Sequence, residues 1–187
     1  MRTLILISLA AHLTLPVNTT PDEINRMDEC IQKRFLDRTA FGMNRILPLQ
    51  AHGIRQFRPE NATEQAVVNR LEQEGYQVAL FLAGRNVFAA PGPLDAWYRF
   101  GVQGPAYITH LRHPDELPVS VALIDESRNA LAAFQTGAGY EAQKGDWNVA
   151  LRPLRASNEA CVGCHTRAGA KVSIGDPLGI VMYVYKR

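Results

Sequence analysis

The chain has 187 residues, 47% of them hydrophobic, which suits one domain with a proper core. Its 20 basic and 18 acidic residues leave a net charge of +2, and no long basic run occurs, which excludes nucleic-acid binding as a main role. Three cysteines are too few for a disulfide framework.

Met1-Arg2-Thr3 carries one positive charge, and Leu4 to Leu15 is an apolar run broken by His12. This has the size and order of a secretory signal and is too short to span a bilayer. The other reading is a buried first element of a cytosolic domain. We assign residues 1–20 to a signal, 21–187 to one domain, and expect a periplasmic or otherwise exported product. No later segment is apolar enough to cross a membrane.

Thr20-Pro21-Asp22-Glu23 reads as N-cap, first helical proline and capping-box acid, and Ile24, Met27, Ile31 and Phe35 follow at helical spacing. The pattern predicts a helix over 21–37. Residues 42–59 read as irregular. Asn61-Ala62-Thr63-Glu64 opens a second helix that ends at Gly75. Strands are predicted at 76–82 and 86–89 about a turn at Ala83-Gly84-Arg85, with a short helix over 94–100. Val119–Ile124 and Ala130–Gln135 read as a second hairpin about Glu126–Asn129, Trp147–Leu154 as a strand, and Leu178–Tyr185 as the last strand. An exposed loop, Thr166–Pro177, precedes it. Helices followed by five to six strands with short links imply an α+β fold on one antiparallel sheet.

Cys161-Val162-Gly163-Cys164-His165 interrupts this texture before the last strand. In Cys-x-x-Cys-His the thiols form thioethers with haem and the imidazole ligates the iron, so one covalent haem c is the expected cofactor. On a helical turn Cys161, Cys164 and His165 share a face, with Ser157 or Asn158 as the cap. Gly163 is expected to leave room for the porphyrin edge. The rivals are a Cys161–Cys164 disulfide, which leaves His165 unexplained, and a zinc site of Cys30, Cys161, Cys164 and His165.

Arg152-Pro153-Leu154-Arg155, the Cys161–Thr166 turn and Gly175-Asp176-Pro177-Leu178-Gly179 resemble periplasmic single-haem c-type cytochromes and haem-sensor domains with a PAS-like sheet. The resemblance covers the last third of the chain, from about Val149. It implies a PAS-like antiparallel sheet and an electron-transfer or redox- or gas-sensing role, with a redox partner or a small gaseous ligand. A lesser resemblance is to lysine-cross-linked cytochromes that oxidise hydroxylamine, but Lys144 and Lys171 fall in predicted loops.

The second axial position decides between these roles. Cys30, Met43, His52, His110 and His113 are the candidates, and the resemblance favours Cys30, at the edge of the first helix's apolar stripe. Arg85, Arg152 and Arg155 are candidates for the haem propionates, and Trp97, Tyr107, Tyr140 and Trp147 for stacking on the macrocycle. An open distal site would instead suit hydroxylamine or peroxide chemistry.

Overall fold

The computed structural model describes residues 20–38, 43–47, 55–84, 101–111, 117–167 and 171–187. The predicted strand at 86–89, the predicted helix at 94–100, residues 1–19 of the signal segment and Arg85, Trp97, His52 and His113 lie outside them, whereas Thr20, placed last in that segment, is buried in the domain. Helix α1 (Asp22–Asp37) buries Ile24, Met27, Ile31 and Phe35 as their spacing requires. Its start differs from the expected cap. Pro21 is the N-cap and the Thr20 hydroxyl bonds Glu141 instead. A single turn, α2 (Met43–Ile46), and a two-residue strand, β1 (Arg55–Gln56), occupy the stretch expected to be irregular. Helix α3 (Ala62–Gln73) begins as predicted, the Glu64 amide donating to Asn61 Oδ1 at 3.0 Å.

The sheet contains β1, β2 (Gln77–Gly84), β3 (Gly101–Tyr107), β4 (Tyr140–Lys144), β5 (Trp147–Arg155) and β6 (Pro177–Lys186), in the order β1-β3-β2-β6-β5-β4. All pairings are antiparallel except β1 with β3. The long central pair, β2 and β6, is buried on both faces because helices cover both. Pro105 falls in β3, whose pairing with β2 is irregular between Leu80 and Leu82, where a proline is tolerated.

Residues 119–135 do not form the expected hairpin. They hold helix α4 (Ser120–Gln135). Among its described side chains Leu123, Glu126, Ser127, Ala130, Leu131 and Phe134 are buried, a 3-1-3-1-3 spacing that only a helix puts on one face. The turn-like Glu126–Asn129 is its polar-to-buried flank, with the Ser127 hydroxyl donating back to the Leu123 carbonyl at 2.8 Å. Strand β4, absent from the sequence reading, is a polar edge strand exposing Glu141 and Gln143.

Two cores result. One lies between the sheet and α1, α2 and α3, and contains Tyr183, Leu154 and Leu178. The other lies between the sheet and α4, and contains Phe81, Trp147, Leu151 and Met182. Helix α5 (Glu159–Arg167) hangs from the end of β5 and sends Cys161 into the first.

Candidate functional site

Helix α5 is short, and its start is fixed by Asn158, whose Oδ1 accepts the Cys161 amide at 3.1 Å. At 100° per residue, Cys164, Cys161 and His165 fall within an arc of about 100°. Cys161 is buried, Cys164 exposed and His165 half-buried, with its Nδ1 out of solvent. Gly163 points to the opposite side of the helix, where a Cβ would meet open space, so it does not make room beside the three.

All three cysteines are free thiols, so the disulfide reading fails in this structure. Burial pushes the Cys161 thiol up, but the Ser157 backbone and hydroxyl, the Asn158 backbone and the Arg45 charge outweigh it and hold the thiol below its ordinary pKa. The Ser157 hydroxyl stands 3.9 Å from the sulfur. Among the described residues no three His, Cys, Asp or Glu side chains converge as a metal site, so Cys30 is not gathered with the α5 donors into a Cys3His set.

The Cys30 thiol is instead pushed up by burial and then by the Glu64 charge, with Arg34 opposing. On the helical wheel it stands with Glu23 and Arg34, the flank that faces α3, whereas Asp28 and Gln32 face β6 and β5. The groups acting on Cys30 and those acting on Cys161 share no member. His110 follows β3 at the sheet end where β6 finishes. Helix α5 leaves from the other end, roughly 25 Å away along the strands, too far to share an ion with His165. Met43 begins α2, and its Ile46, with Leu47 just after it, shares the first core with Cys161.

The two arginines expected at the propionates have other partners. Arg152 pairs with Glu141 at 3.3 Å and reaches Asn25 and Thr20. Arg155 donates to the Phe134 carbonyl at 2.7 Å, satisfying the α4 C-terminus, and to the Gly175 carbonyl at 2.8 Å. Both line one open cleft of about 520 Å³ with Gly139 and Glu141, at the start of β4. Tyr107 and Trp147 lie in the α4 core, and the Tyr140 hydroxyl donates to Glu126 at 2.9 Å, so none of the three faces Cys161. Lys144, expected in a loop, ends β4 and pairs with Glu126.

Comparison with known protein families, curated proteins and solved structures returns no match for this chain. The donor chemistry suits a c-type haem: two separate thiols, one made more acidic, beside an imidazole on a capped turn. The residue that sequence reading passed over is Arg45. Nothing in its local sequence distinguishes it, and only the fold carries it to α5.

Proposed function

We propose that the protein is an exported single-haem c-type cytochrome whose haem is held covalently by Cys161 and Cys164 and ligated by His165. The observation that carries this reading is the placement of all three donors on one capped turn of α5. When bound, haem would supply one-electron redox chemistry. The chain's own contribution is to present the thiols on one face, keep Cys161 acidic and shield the His165 Nδ1 from water. A PAS-like architecture is supported by the order of the five antiparallel strands. Numbered among themselves along the chain, they run 2-1-5-4-3 across the sheet, with the long first and last strands side by side at its centre.

An electron-transfer or redox-sensing role would follow if a second side chain of the chain also held the iron, and gas binding or peroxide chemistry if His165 alone held it. Cys30, favoured by the resemblance, and Met43, on the α2 turn, are the ligands to test. Expression with a haem-maturation system should give a chain whose intact mass is raised by one haem that denaturation does not release. Loss of the adduct in Cys161→Ser/Cys164→Ser is expected, and a wild-type chain without an adduct would end the proposal. A low-spin ferric spectrum, converted to high-spin by Cys30→Ala, identifies Cys30; conversion by Met43→Ala instead identifies Met43.

A further inference from the structure

We propose that Arg45 is the anchor for the haem propionates, a role that rests on the haem reading above. The guanidinium is held before any ligand arrives. Its Nε donates to the Arg38 carbonyl at 2.7 Å, and its carbon lies 4.5 Å over the Phe35 ring. These two contacts fix the plane of the group and use one of its three nitrogens. The two terminal nitrogens are the edge that binds a carboxylate in a fork.

Among the described residues Arg45 forms no ion pair, whereas Arg34, Arg38 and Arg152 each face a carboxylate. From Arg38 to Pro59 the sequence has four arginines and no Asp or Glu, and the carboxylates that bound this stretch, Asp37 and Glu60, pair with Lys33 and with Arg38. A haem brings two carboxylates on an apolar macrocycle, and α2 with the residue after it offers the matching pair of properties: Arg45 beside the buried Ile46 and Leu47.

Placement supports the same assignment. The C-terminal turn of α1, which carries Phe35, lies at the sheet end from which α5 leaves, since Gln32 donates to the Pro153 carbonyl near the end of β5 at 3.3 Å. Phe35, Ile46, Leu47 and Cys161 belong to one core. The charge of Arg45 is felt at the Cys161 thiol. Arg155 is a poorer anchor because its two charge-assisted bonds to the carbonyls of Phe134 and Gly175 would have to be given up, and Arg152 is already neutralised by Glu141.

The test is the midpoint potential of the holoprotein measured across pH, for wild type, Arg45→Gln, Arg45→Lys and Arg155→Gln. A propionate beside a guanidinium titrates low, so its loss moves the inflection of the potential–pH curve upward by about one to two pH units. Arg45→Gln is expected to show that shift together with a lower potential, Arg45→Lys a smaller shift, and Arg155→Gln the wild-type curve. A wild-type curve for Arg45→Gln, or a shift that follows Arg155→Gln instead, overturns the assignment. Should Arg45→Gln fail to accumulate, Arg45→Lys decides alone: a moved inflection supports the anchor and an unmoved one removes it. A wild-type chain that takes up no haem removes the haem reading, and this assignment with it.

Discussion

Beneath α1, the Tyr183 hydroxyl donates to Asp28 Oδ1 at 2.9 Å, and Gln32 donates to the same oxygen at 3.3 Å. Tyr183 is fully buried, and burial followed by the Asp28 charge holds its phenol protonated far above the usual range. Burial also raises the Asp28 pKa, against the bonds from Tyr183 and Gln32. A carboxyl raised on folding favours the folded state only while protonated. Its stabilisation is present below the unfolded pKa and declines as pH rises through the folded one. Asp28→Asn keeps an acceptor oxygen and removes the charge. It should therefore be more stable than wild type at pH 7 and lose that advantage below the ordinary carboxylate range, as read by urea unfolding at several pH values. Tyr183→Phe removes a hydrogen bond to a charged group and should cost about 1.5–3 kcal/mol at pH 7 in the same assay. Two glycines show how single residues set the path to β6. Gly175 holds φ +92° in the turn before the strand, and a Cβ at Gly179 would stand 3.0 Å from the Ala83 carbonyl oxygen of β2.

Arg34 joins more elements than any charge pair around it. Its guanidinium meets Glu64 of α3 at 2.8 and 2.5 Å, donates to the carbonyls of Ile46 and Arg58 at 2.8 Å each, and covers the Phe57 ring at 4.3 Å. Burial alone would raise the Glu64 pKa, but the bonds from Arg34 and the Glu60 amide hold it below the usual carboxylate value. This pair stabilises the fold above the unfolded carboxylate pKa and is lost as pH falls through the folded one. Arg34→Met should cost about 3–5 kcal/mol at pH 7 by leaving a buried carboxylate, and Arg34→Met/Glu64→Leu should cost less than the sum of the single changes. The penalty of Arg34→Met should shrink in acid, where Glu64 is protonated. A penalty unchanged between neutral and acidic pH would refute the pairing. Because Arg34 also holds Ile46, the same pair positions the α2 turn on which Arg45 stands. None of this was legible in the sequence, where Glu64 reads only as a capping-box acid. Local signals were legible: the α1 stripe, the Asn61 cap, the turn of α5 and strands β5 and β6. Helix α4 was misread because Val119, Val121 and Ile124 look strand-like while its buried face includes Glu126 and Ser127, whose polarity hides the period. Strand β3 was missed because Gly101, Gly104 and Pro105 read as loop, and its pairing with β2 is a long-range fact.

At the scale of the whole molecule, the sheet separates two regions that the sequence did not distinguish. One face and one end carry α1, α2, α3 and α5, with Cys161, Arg45 and the buried Arg34–Glu64 pair. The other face carries α4, with the aromatic residues Tyr107, Trp147 and Tyr140 and the Glu126–Lys144 pair, as a structural counterweight. The sequence motif named Cys161, Cys164 and His165, and Ser157 and Asn158 lie close by in the chain, but Arg45 and the core residues Phe35, Ile46 and Leu47 come from more than 100 positions away, which no local pattern reveals. Among the described residues no helix is long and apolar enough to cross a membrane. The central claim is that Cys161 and Cys164 carry one haem. The measurement that tests it most directly is the pyridine haemochrome spectrum of the full chain purified after expression with a haem-maturation system. The account predicts a spectrum of the doubly thioether-linked c type at one haem per chain, absent from Cys161→Ala/Cys164→Ala. A wild-type chain that is folded, as judged by its circular dichroism, yet gives no haemochrome would contradict it.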